Sequence, residues 1–180
     1  MSLFTPDRLF SRVTRIDVRF DLLDQGIDTV LLDIDNTIRR RDTAEVPVDV
    51  RQWLRLLADG GVACCLLTNN WHADVHDLAD ELGLPVVAKA CKPVPAGYVL
   101  ARRRMGAPAE RAVMVGDQLL TDVLGAHLAG MRGYLVAPLV EHDLPHMALL
   151  RPFERMAVRG RMPEGSACRR TEAQAGDSGT

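Results

Sequence analysis

Five short apolar runs, separated by stretches with helical spacing, constrain this chain more than any other feature. Thr29 to Ile34 (TVLLDI) follows Gly26 and reads as a buried strand after a helix stopped at glycine. Val50, Trp53, Leu54 and Leu57 then recur as one helix face, which halts at Gly60-Gly61 before a second apolar run at Val62 to Leu67. The pattern predicts a helix at Ala73 to Leu82, a strand at Val86 to Ala88, a helix at Ala96 to Met105 and a strand at Ala112 to Val115. A helix at Leu119 to Ala129 and a strand at Gly133 to Val136 complete it. Strands that alternate with helices join through right-handed crossovers into a parallel sheet covered on both faces, so the fold class is α/β.

The 180 residues, 47% hydrophobic and 26% charged, suffice for one domain with a real core but not for two. A net charge of −2 gives no positive field to gather nucleic acid. Twenty of the 22 basic residues are Arg, so any task needing an ammonium falls to Lys89 or Lys92. Cys64, Cys65, Cys91 and Cys168 form no paired spacing, and the first two sit inside an apolar run, which reads as strand packing in a reduced, cytoplasmic protein. The start MSLFTPDRLFSR lacks the apolar stretch of a signal peptide, and no run approaches the ~20 apolar residues of a membrane span. From Arg151 the periodicity fades, and residues 160–180 read as a disordered tail.

Polar residues gather where the predicted strands end. Asp33-Ile34-Asp35-Asn36-Thr37 follows the first, Thr68-Asn69-Asn70 the second and Gly116-Asp117 the fourth, with Lys92-Pro93 just beyond the third and Asp122 five residues past Asp117. These residue types also turn a chain out of a strand and cap helices. Four such clusters in order at the ligand-binding edge of an open sheet are better explained by one site. Clustered carboxylates suit Mg²⁺, which binds through a few carboxylates plus a substrate phosphate. One carboxylate can attack phosphorus while another donates a proton to the leaving oxygen, with Thr68 and Lys92 holding the phosphoryl oxygens.

Together these segments resemble the four motifs of the haloacid dehalogenase (HAD) superfamily of phosphatases, over roughly Gly26 to Pro138. LLDIDNTI, LTNN and GDQLLTDVLGAHLAGM are similar to YqeG-type members of subfamily IIIA, relatives of phosphatidylglycerophosphatases. The resemblance implies a three-layer Rossmann-like sandwich in which the strand at 29–34 lies beside the strand at 112–115. It also implies Asp33 as nucleophile and metal ligand, and Asp35 as general acid that later activates water and offers its backbone carbonyl to the metal. Thr68 and the backbone near Asn69 would bind phosphate with Lys92, and Asp117 would complete the Mg²⁺ site. Asp122 would support either the metal, through water, or Lys92. Ile38 stands where the first motif often has Leu, a volume-conserving exchange.

Thr37 to Val62 and Asn70 to Lys92 each leave room for little more than one helix, so no cap domain is expected. An uncapped crevice suits a phosphate on something large, such as a lipid headgroup, or a smaller ester if an oligomer supplies a lid. Residues 1–26 are expected to pack on a domain of residues 27–159. Within them Leu9, Val13, Ile16 and Phe20 recur at near-helical spacing among Arg8, Arg12, Arg15 and Arg19, a pattern that fits either packing on the domain or peripheral contact at the inner face of a membrane. Asp7 and Asp17 dilute that charge and favour packing. The pairs His72/His76 and His142/His146 have zinc-like spacing but no evident third ligand.

Overall fold

The computed structural model describes residues 3–140 together with Pro163 and Glu164. The expectations for His142, His146, Cys168 and, those two residues apart, the tail 160–180 lie outside the described residues. Six strands form one parallel sheet: β1 (Arg8–Phe10), β2 (Thr29–Leu32), β3 (Ala63–Leu67), β4 (Val86–Val87), β5 (Ala112–Gly116) and β6 (Arg132–Val136), in the order β1-β6-β5-β2-β3-β4. Four helices connect them: α1 (Val48–Asp59), α2 (Asp74–Leu82), α3 (Pro95–Arg104) and α4 (Leu124–Leu128), the last entered through a wide helical turn over Leu119–Val123.

The period-two geometry of a strand explains the two cores. Val30, Leu32, Cys64, Leu66, Val113 and Val115 face α1, α2 and the N-terminal segment. Their neighbours Leu31, Cys65, Leu67, Ala112 and Met114 face Tyr98 and Ala101 of α3 and Ala126 of α4. The adjacent cysteines therefore pack into opposite layers, and burial pushes their thiols up to about 12 for Cys64 and about 11 for Cys65. Both are core side chains and poor nucleophiles.

β2 occupies the position that matters for function. It pairs with β3 on one side and β5 on the other, so that Leu32 lies between Leu66 and Val115, and the residues that follow these three strands emerge side by side. Between β2 and α1 there is only a loop, and between β3 and Lys92 only α2 and β4, so no cap covers this edge among the described residues.

The N-terminal segment departs from the helical spacing of its apolar residues. Arg8–Phe10 is an edge strand on β6, followed by single helical turns at Val13–Arg15, Val18–Leu22 and Leu23–Gln25. Asp17 caps the second of these, accepting from the N–H groups of Arg19 and Phe20, both at 2.9 Å. Phe10, Val13 and Ile16 are buried, whereas Phe20 is half exposed, so no single apolar stripe forms. Two of the four arginines are drawn into ion pairs, Arg8 with fully buried Asp21 and with Glu164, and Arg12 with Asp49. Pairing of Glu164 N–H with the Leu9 carbonyl at 2.7 Å extends the sheet edge. No described helix is long and apolar enough to cross a membrane.

Candidate active site

The loop after β2 carries Asp33 and Asp35 in different surroundings, because the chain turns sharply between them. Ile38 and Arg39 both donate to the Ile34 carbonyl, at 3.1 and 3.0 Å, and Asn36 adopts φ +69°, donating to the Arg39 carbonyl at 2.8 Å. Asn, whose short polar side chain tolerates the left-handed region, is a suitable residue there. Its side chain also ties the loop to Val140, through Nδ2 to the carbonyl and Oδ1 from the N–H, both at 3.0 Å.

Asp33 is buried, with Oδ1 2.5 Å from Lys92 Nζ and Oδ2 3.4 Å from the Thr37 hydroxyl. Lys92 Nζ also donates to Asp122 Oδ1 at 2.6 Å, so one ammonium bridges two buried carboxylates. Asp122 Oδ2 accepts from the Gln118 N–H at 3.0 Å. This packing requires Gly116, since a Cβ there would collide with the Asp122 carboxylate. Asp33, Asp117 and Asp122 each present an oxygen within 4.8 Å of the others, the only such acidic, His or Cys group among the described residues. His72 and His76 are exposed and join no cluster.

Three carboxylates clustered about one ammonium leave an excess of negative charge in a largely buried place. Burial pushes Asp33 up to about 6 against the opposing pull of Lys92, and burial with the charges of Asp33 and Asp122 pushes Asp117 well above the usual carboxylate range. Burial alone would lower Lys92, but the charges of Asp122 and Asp33 outweigh it and keep the ammonium protonated. Asp117 Oδ1 is buried without a hydrogen-bond partner among the described residues. An unpartnered carboxylate oxygen in a cluster with surplus negative charge fits a divalent cation with hard oxygen ligands.

The loops after β3 and β4 are clasped together. Both ends of the Asn69 amide engage the backbone of Lys92, Oδ1 accepting from its N–H at 2.6 Å and Nδ2 donating to its carbonyl at 3.0 Å. Lys89 and Cys91, which flank Ala90 just before Lys92, have φ +51° and +55°, a conformation that costs side-chain-bearing residues energy and marks a constrained site. Thr68 is buried, and its hydroxyl oxygen accepts from the Asn70 N–H at 3.0 Å, which leaves the hydroxyl proton for another acceptor.

Asp35 stands apart from the three clustered carboxylates. Its Oδ1 accepts from Arg39 Nη2 at 2.6 Å and Oδ2 from Asn70 Nδ2 at 3.2 Å. Sequence reasoning missed Arg39, since one arginine among twenty carries no distinguishing signal, and missed Gln118, whose contribution is a backbone N–H.

Residues 8–130 match the family described as haloacid dehalogenase-like hydrolase. The chain is 30% identical over 140 residues to a Bacillus subtilis (strain 168) protein named "Probable phosphatase YqeG", covering 78% of this chain and 81% of that one. It is 30% identical over 138 residues to a glyceraldehyde 3-phosphate phosphatase of Methanothermobacter thermautotrophicus, covering 75% of this chain and 55% of that one. Its fold is shared with the cobalt-bound deoxy-D-mannose-octulosonate 8-phosphate phosphatase of Haemophilus influenzae, with a TM-score of 0.51 and 15% identity over 75% of this chain and 89% of that one. With the motifs gathered at one sheet edge and the family match running from the first strand to the end of α4, the chain belongs to the haloacid dehalogenase-like hydrolases, among their phosphatases.

Proposed function

We propose that the protein is a Mg²⁺-dependent phosphomonoester hydrolase that works through a phosphorylated Asp33. The observation that carries this reading is the buried cluster of Asp33, Asp117 and Asp122 with its unpartnered Asp117 oxygen, bridged by Lys92. Asp33, Asp117 and the Asp35 backbone carbonyl would hold the cation, which would supply charge neutralisation for the phosphoryl oxygens. Asp33, raised to about 6, is ionised at neutral pH and attacks phosphorus as a carboxylate. As the oxygen–phosphorus bond forms, the phosphorus–ester bond breaks, and Asp35 delivers a proton to the departing alcohol oxygen. In the second half Asp35 takes a proton from water, whose oxygen attacks phosphorus. The bond to Asp33 breaks, inorganic phosphate leaves, and Asp33 is restored. Lys92 and the Thr68 hydroxyl hold the phosphoryl group, the backbone near Asn69 assists, and Asp122 keeps Lys92 in place.

We assign the substrate as a phosphate presented on something large, with phosphatidylglycerophosphate as the leading example. Support comes from the uncapped edge and from exposed apolar residues on the two clasped loops, Trp71 at 72% and Val94 at 53% exposure. A lipid substrate would bring peripheral contact with a membrane surface. A second reading, a soluble sugar-phosphate, nucleotide or phosphoprotein phosphatase, is favoured by the names of the glyceraldehyde 3-phosphate phosphatases. A noncatalytic binding module with this fold is the third.

The test is phosphate release with Mg²⁺ from phosphatidylglycerophosphate in mixed micelles, beside a panel of soluble phosphomonoesters, with Asp33→Asn as the blank. Selective turnover of the lipid is expected. Turnover of soluble esters alone moves the assignment to the second reading, and none above the blank moves it to the binding module.

A further inference from the structure

Arg39 is a buried arginine whose guanidinium touches none of the groups that Lys92 serves. Its Nη2 donates to Asp35 Oδ1 at 2.6 Å, with Nε reaching the same oxygen at 3.3 Å, and Nη1 donates to Asp74 Oδ2 at 2.6 Å. One fork thus joins the second carboxylate of the β2 loop to the first residue of α2. Side-chain exposure is 9% for Arg39, 27% for Asp35 and 54% for Asp74, so the cation is the most enclosed member of the set. Its backbone is fixed as firmly, since Arg39 donates to the Ile34 carbonyl at 3.0 Å and accepts from the Asn36 N–H at 2.8 Å. An arginine seated so cannot withdraw without breaking both ion pairs, and it cannot give up its proton.

Its placement fixes Asp35 against the loop after β3 by two routes. Asn70 holds Oδ2 directly at 3.2 Å, and Arg39 holds Oδ1 while anchored on Asp74, four residues further along the same connection. A carboxyl group gripped at both oxygens has one orientation. Proton exchange with a leaving group depends on heavy-atom placement to within a fraction of an ångström. We propose that Arg39 is a positioning residue, which aims the Asp35 carboxyl group at the leaving oxygen using Asp74 as its second anchor. This rests on the reading of Asp35 as the group that protonates the leaving alcohol.

The experiment uses the full chain with Mg²⁺ and a series of phosphomonoesters, from 4-nitrophenyl phosphate, whose leaving group needs no proton, to alkyl phosphates, whose leaving group does. Arg39→Ala should lower kcat/KM by roughly 100-fold on the alkyl esters and by only about threefold on 4-nitrophenyl phosphate, in the range of a mispositioned general acid. Arg39→Lys, which keeps the charge but reaches one carboxylate at a time, should recover part of the alkyl activity. Asp74→Asn should show the same selectivity with a smaller loss. An equal loss on every ester, or none, overturns the positioning role while leaving the aspartyl-phosphate reading intact. Turnover by Asp33→Asn equal to the wild type, or none by the wild type, overturns both, since no proton transfer then exists for Arg39 to direct. Circular dichroism melts identify a variant that has not folded, and Arg39→Lys then decides the outcome through its alkyl-to-nitrophenyl ratio.

Discussion

The two ends of the sheet differ in what they enclose. At the end where β2, β3 and β5 terminate, Asp33, Asp122 and Lys92 are buried against one another in little space. At the other end, beside the C-terminus of α1, a cavity of about 640 Å³ is lined by Ile16, Val18, Trp53 and Leu56 together with the exposed Arg15, Arg19, Asp24 and Asp59. Arg15, Arg19, Asp24 and Asp59 of the cavity are exposed to solvent, whereas the small site holds its charges buried, at an energetic cost. Buried ionisable groups that oppose one another mark function better than empty space does. The cavity is a seam between the N-terminal turns and α1, closed underneath by the hydrogen bond from Trp53 Nε1 to the Ile16 carbonyl at 2.8 Å.

The largest effect expected from this contrast is on turnover. Asp33→Asn should cut kcat on the order of 10⁴-fold in a phosphate-release assay while its far-ultraviolet circular dichroism stays native. Activity close to wild type would remove the charged end as the site. Lys92→Met should also abolish most activity. In metal-free protein it should cost about 3–5 kcal/mol in urea unfolding, because Asp33 and Asp122 lose their shared counter-charge. The matching change at the cavity, Arg15→Met, should stay within about 0.5 kcal/mol, as exposed positions do.

A pH series sharpens the comparison. The folded chain binds the Asp33 proton more tightly than the unfolded chain does, so Asp33 makes metal-free stability fall as the pH rises from about 4 to about 6. Asp33→Asn removes that slope. The melting temperature of the variant should therefore gain on the wild type across this window, and parallel curves would show that Asp33 is not strained by burial. The smallest effect is at the cavity itself. Leu56→Ser, at its rim, should leave kcat within about twofold, and a loss matching that of Lys92→Met would make the cavity part of the catalytic machinery.

Much of the candidate site was legible because it is written in short, local segments. Asp33, Asp35, Thr68, Lys92 and Asp117 each follow an apolar run, and a parallel sheet brings the ends of such runs to one edge whatever the details of packing. Arg39 was not legible, because its partners Asp35 and Asp74 depend on how the β2 loop folds back and where α2 starts. The local structure of the N-terminal segment was not legible for a related reason. Four apolar residues at near-helical spacing also suit a strand followed by turns, and β6 offered Arg8–Phe10 an edge to pair with.

The sequence by itself determined the alternation of strands and helices, the two-faced sheet and the order of the polar clusters, since strand and helix periods and glycine stops act over a few residues. Only the tertiary structure decided which groups share a charge. Lys92 bridges Asp33 and Asp122, separated from it by 59 and 30 residues, and Arg39 bridges Asp35 and Asp74, because ion pairing follows distance and burial rather than position along the chain.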